Sequence, residues 1–211
     1  MPASAKRGRY HHGDLRAALV DAAIGLIAER GVREFSLAEA SRRLGVSAAA
    51  PYRHFADRDD LLAAVAVRSL QVFAAMVAAE AGDLQDPPQR LASMTRAYVR
   101  FAAEQRPLFD TLYSAGLDKS RYPELQRAWE PVDAFLGVVE EICEGDSAAA
   151  DSLATALEAT AHGHAVLLLD GEPDADAAAV AATADRAAAA TLAIISGRAA
   201  LATDQTGLTK L

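Results

Sequence analysis

Residues 36–55, SLAEASRRLGVSAAAPYRHF, constrain the fold more than any other stretch of the chain. Ser36 followed three residues later by Glu39 is a capping box, in which the two side chains satisfy free amides at a helix start. Leu37, Ala40 and Leu44 recur at i, i+3 and i+7, one apolar face of a short helix. Gly45 offers the left-handed residue that ends a helix, with Val46 expected to be buried in the turn. Ser47 is expected to cap a second helix from Ala48 to about His54, with Pro51 in its first turn or just beyond. Two short helices joined so tightly make a helix-turn-helix, whose second helix is the one expected to enter a DNA major groove.

The flanking residues extend this pattern. Ala22-Ala23, Leu26-Ile27 and Gly31 precede the Ser36 cap; Gly45-Val46-Ser47, Tyr52-x-His54-Phe55 and Asp57-Arg58-Asp59-x-Leu61-Leu62 follow it. Over about residues 14–75 this resembles the DNA-binding domain of the TetR family of bacterial repressors. The resemblance implies that Tyr52, His54 and Arg58 stand where that family contacts phosphates, Arg58 replacing its usual lysine. The chemistry agrees: Ser36, Tyr52 and His54 have polar tips for phosphate oxygens and Arg58 adds charge, contacts that position a protein without reading sequence. Base reading then falls to Ser47, Ala48, Ala49 and Arg53. Three consecutive alanines offer methyls to thymine and few hydrogen bonds, so DNA shape is expected to share the work.

A net charge of −8 looks wrong for a DNA binder until it is divided. Residues 1–56 carry nine Lys/Arg against five Asp/Glu, a balance of +4; residues 57–211 carry twelve against twenty-four, a balance of −12. The positive part coincides with the helix-turn-helix, so phosphate attraction acts locally. The arm at 1–13 has no apolar period, and its Lys6, Arg7 and Arg9 fit either a phosphate or minor-groove contact or a solvated tail. Cys143 is alone, which excludes an internal disulfide and suits a reducing cytoplasm. No apolar run is expected to reach the ~20 residues that span a bilayer, and Asp14, Arg16 and Asp21 break up any signal-peptide core.

The remaining periodicities predict an all-α fold. A first helix covers about 14–30, capped by Asp14 and stopped by Gly31, with Leu15, Leu19, Ala22, Ala23, Leu26 and Ile27 inward. A long helix from the Asp57 cap to about Glu80 is apolar on most of its circumference and is expected to link two domains. A second helical domain, 86–200, opens at Asp86-Pro87. Within it Pro131 is expected to kink or break the helix opened by Pro123. Aromatics are only 6% of the chain, yet Tyr98, Phe101, Phe109, Tyr113, Trp129 and Phe135 fall within forty residues, as an ordinary core or as the wall of an apolar ligand pocket.

Tyr98-Val99-Arg100-Phe101 and Ala161-His162-Gly163 are similar to a TetR subgroup named for a Trp-His-Gly signature, without its tryptophan. His162 joins the candidate ligand-binding residues on that ground. A metal reading of His162, His164, Glu158 and Asp170 is set aside: Glu158 and His162 share a helix face, but His164 lies about 200° around from His162. No catalytic residue, metal ligand or cofactor site is expected. From Ala175 to Ala200, fourteen of twenty-six residues are alanine, which favours close helix contact, here between the last two helices of two subunits. The expectation is a cytoplasmic regulator, in the resemblance a repressor, that holds a palindromic operator as a homodimer and leaves it when a small apolar or amphipathic molecule binds. The alternative is control by a protein partner, or no effector.

Overall fold

The computed structural model describes residues 15–114, 116–172 and 175–201. The basic arm at 1–13, the Asp14 cap and the tail past Thr203 lie outside the described residues. Among those described, nine α-helices and three 3-10 turns account for the regular structure. In chain order the helices are α1 (Leu15–Arg30), α2 (Leu37–Leu44), α3 (Arg58–Ala81), α4 (Pro87–Glu104), α5 (Arg106–Ser114), α6 (Pro123–Ala128), α7 (Glu130–Ile142), α8 (Ser147–Gly171) and α9 (Ala177–Ser196).

Local chemistry sets most of the boundaries. The Ser36 hydroxyl accepts the Glu39 amide at 3.3 Å and starts α2. Gly45, at φ 67°, ends it: the Gly45 amide reaches the Arg42 carbonyl and the Val46 amide reaches Ser41, a Schellman pair in which a side chain at Gly45 would be strained. Asp57, Asp86, Asp146 and Asp176 accept first-turn amides of α3, α4, α8 and α9. Each such cap is worth about 1 kcal/mol.

Three sequence expectations need correction. The second helix of the helix-turn-helix is not an α-helix from Ala48; residues 48–50 form a turn, and the regular part is a 3-10 turn at Pro51–Arg53. A helix capped at Ser47 needs the amide of residue 51 to bond the Ser47 carbonyl, and proline has none. The Ala50 amide takes that carbonyl instead, at 3.0 Å. Val46, expected to be buried, is half-buried. Finally, α3 and α9 are long and apolar enough to cross a membrane by length and composition, because sparse charges interrupt α3 without making it polar. In this fold α3 lies against α1, α4, α5 and α6, and α9 against α4 and α8. The break expected near Pro131 occurs: α6 ends at Ala128, and Pro131 falls in the first turn of α7, where a missing amide does least harm.

The core does not divide at the end of the reading head. Leu19, Leu26, Phe35, Phe55, Leu62 and Val65 share one buried cluster with Phe101, Leu108 and Phe109 of the C-terminal half. The most extensive helix pairing is α4 with α9. Small buried residues, Ala92 and Ala97 on α4 and Ala184, Ala187 and Ala188 on α9, suit close approach.

At the α4–α9 seam the Thr95 hydroxyl donates to the Leu91 carbonyl (3.1 Å), leaving the fully buried Thr191 hydroxyl to donate to Thr95 at 2.9 Å. Thr95→Val should therefore destabilise the protein by about 1–3 kcal/mol, the usual penalty for stranding a buried donor. Adding Thr191→Val should restore most of it in chemical denaturation. A double variant less stable than the single one would show that the hydroxyl pair does not matter.

Candidate DNA-reading surface and effector cavity

The reading surface is set by what lies beneath it. Pro51 and Phe55 are buried, which pins the 3-10 turn to the head and points the intervening side chains outward. The Arg16 guanidinium sits 5.1 Å from the centre of the Phe55 ring, and its cation–π contact covers the core from the α1 side. Ser47, Ala48, Ala49, Tyr52 and Arg53 form one exposed strip; Tyr52 is 62% exposed although it is an aromatic residue. His54 at its edge is half-buried. These six are brought together.

Ser36 and Arg58 are engaged elsewhere. The Ser36 hydroxyl is committed to Glu39, donating to its carboxylate at 3.3 Å while accepting its amide. The half-buried Arg58 donates to the carbonyls of Val32 and of Phe35 (3.2 Å for the latter) and lies 4.9 Å from the centre of the Phe35 ring. Both residues hold the α1–α2 connection in place.

The aromatic concentration of the C-terminal half lines a cavity of about 300 Å³ that is partly open to solvent. Five of the residues expected there, Tyr98, Phe101, Tyr113, Trp129 and Phe135, line it. Trp129 reaches it because the α6–α7 break falls at that residue. Phe109 and His162 stand one layer behind, their rings stacked at 5.8 Å and 25°. His162 still bears on the cavity, since its Nδ1 lies 2.9 Å from the Tyr98 hydroxyl, which donates to Tyr113 at 2.6 Å. With its one proton given to Tyr113, the Tyr98 oxygen accepts from Nδ1–H of His162. Burial pushes the Tyr98 hydroxyl far above its ordinary pKa, helped by Tyr113 and by Glu158. Burial raises Tyr113 as well, by less than Tyr98, with 45% of that residue exposed. Both therefore stay protonated near neutral pH and serve as neutral hydrogen-bonding groups.

The sequence reading missed part of this wall. Leu70 and Phe73 line the cavity from α3, the helix that also carries the reading head. Glu158 and Ala161, which the sequence already sets beside His162, line it from α8. His164 plays no part: its Nδ1 is 2.9 Å from the Thr160 carbonyl one turn back in its own helix.

Residues 19–65 match the family model described as bacterial regulatory proteins, tetR family, and residues 91–192 match one described as a tetracyclin repressor-like C-terminal domain. The chain belongs to the TetR family. It is a DNA-binding transcriptional regulator of that family and not an enzyme, and the C-terminal match does not single out the Trp-His-Gly subgroup. Solved structures agree in fold. A protein of unknown function from Rhodococcus sp. RHA1 is 28% identical, with a TM-score of 0.69 over 89% of this chain and 98% of that one. A putative regulator from Saccharomonospora viridis, solved in complex with choline, is 20% identical, with a TM-score of 0.63 over 88% and 97%. RolR in complex with resorcinol is 23% identical, with a TM-score of 0.58 over 91% and 94%. No curated protein matches the sequence. In this TetR-family chain the cavity residues of 98–135 stand out in the sequence because they are aromatic and clustered; Leu70 and the isolated Phe73 of α3 carry no such signal.

Proposed function

We propose that this TetR-family regulator is a cytoplasmic repressor that binds a palindromic operator as a homodimer and is released by a small apolar or amphipathic effector. One observation carries the reading: the cavity is walled by Leu70 and Phe73 of α3, the helix whose first turns are built into the reading head. An occupant that moves α3 moves the head. A second link runs through α6, whose Leu125 packs on Ala66 and Leu70 of α3 and whose Glu124 pairs with Arg16 of α1 at 3.4 Å. Ligand binding acts only through its different affinity for the DNA-competent and released arrangements. Choline and resorcinol in the two similar structures support a small effector, and they do not identify it.

The division of labour we propose gives a head at 14–75 and an effector and dimerisation domain at 86–200. Tyr52, His54 and the arm at 1–13 anchor phosphates, while Ser47, Ala48, Ala49 and Arg53 meet base edges. Dimerisation falls to α8 and α9, where Leu167 is 75% exposed and Ala178, Ala182, Ala189 and Ala193 leave an outward face of small side chains. Two heads would then reach half-sites about 34 Å apart, one turn of DNA.

Selection from random DNA, followed by light scattering and release assays, tests this reading. The selected site should be an inverted repeat, and the free protein should have twice the chain mass. On that site Tyr52→Phe should lose about 1 kcal/mol, the worth of one hydrogen bond, equally for matched and mismatched bases. A monomer bound to an asymmetric site, or a Tyr52→Phe variant with relaxed base preference at unchanged affinity, would overturn the assignment.

A further inference from the structure

The charge pattern inside the cavity narrows the class of molecule that fills it. Among the described lining residues Glu158 is the single charged one; no Lys or Arg stands with it. The other walls are aromatic or aliphatic, apart from the Thr95 and tyrosine hydroxyls. Glu158 makes no ion pair among the described residues, and it is close enough to Tyr98 and Tyr113 to act on both electrostatically.

Three classes of occupant can be compared on this wall. An anionic head would meet a carboxylate with no compensating cation in the lining, so repulsion, although screened by the solvent that reaches Glu158, disfavours it. A neutral occupant would strip water from one side of Glu158 and return nothing, which disfavours it. A cation satisfies the carboxylate and also gains from the faces of nearby rings, Trp129 best among them. The −12 balance of residues 57–211 raises the local concentration of cations as well.

We infer that the cavity takes a hydrophobic monocation, an ammonium or similar head beside Glu158 with an aromatic or alkyl tail among Phe73, Phe101 and Trp129. This rests on the effector reading above and names its ligand class.

Trp129 is the only tryptophan in the chain and lines the cavity, so its fluorescence reports occupancy directly. The probes are 4-phenylbutyltrimethylammonium, 4-phenylbutanol and 4-phenylbutyrate, which share a tail and differ in the charge of the head. The ammonium should bind the full-length protein at least about tenfold more tightly than either of the others. Glu158→Gln should erase that preference and leave the alcohol unchanged, and Glu158→Lys should turn the preference toward the carboxylate. Glu158 is exposed on α8, and the unchanged alcohol affinity checks that the variants keep the cavity. Equal binding of alcohol or carboxylate to the wild type, undiminished ammonium binding by Glu158→Gln, or no response from any probe would overturn the assignment. Operator release, measured in parallel, separates the two readings. Glu158-dependent ammonium binding without release keeps the ligand class and sinks the effector function; release by the alcohol or carboxylate alone does the reverse.

Discussion

Phe55→Ala should destabilise the protein by about 3–5 kcal/mol and reduce binding to its selected DNA site even at temperatures where the fold survives. The ring is 1% exposed and belongs to the cluster that contains Leu19, Leu62 and Val65. Its loss removes apolar contact and leaves a cavity directly under the 3-10 turn. That turn has few hydrogen bonds of its own, so its position depends on the buried pair Pro51 and Phe55. Tyr52 and Arg53 would then no longer be held in one orientation. Calorimetric unfolding and a DNA titration read the two effects. A loss below about 1 kcal/mol, the common value for an unremarkable substitution, would mean that Phe55 does not anchor the turn.

Ala161→Phe should leave DNA affinity and folding nearly unchanged and weaken effector binding about a hundredfold. Ala161 lines the cavity, so the added phenyl ring has empty space to enter rather than a filled core to strain. The ring would displace about 100–150 Å² of ligand contact, worth ~3 kcal/mol, or roughly two decades in Kd. The phenylbutylammonium probe and the Trp129 signal provide the measurement. Equal affinity for that probe in Ala161→Phe would place the ligand elsewhere in the molecule.

The reading head was legible because its signals are local. A cap, an apolar period and a left-handed glycine act within a few residues of one another, and Ser36, Leu37 and Gly45 do what their types imply. The 3-10 turn was misread for an equally local reason, since the amide missing at Pro51 is the first bond an α-helix starting at Ala48 would need. Arg58 is different. Its carbonyl partners at Val32 and Phe35 lie more than twenty residues earlier, and nothing in the sequence shows that the chain folds back to meet it. The cavity falls between these cases. Its aromatic concentration was visible, but which faces of α4, α5 and α8 stay unfilled depends on how the helices lean together. That is why Phe109 and His162 sit behind the wall while Leu70 and Phe73 form part of it.

The single buried cluster running from Leu19 through Phe55 to Phe101 and Phe109 bears on how such a protein can be recombined. A chimera cut between residues 82 and 86, in the α3–α4 connection, would sever no helix when it joins this head to a relative's C-terminal half, but it would pair two half-cores that never matched. Phe101, Leu108 and Phe109 would have to travel with the head although they belong by position to the other half. The unit that can be transplanted is therefore defined by the packing under α3 and α5, and an exchange of operator specificity is better made on the exposed strip at 47–53 than at the linker.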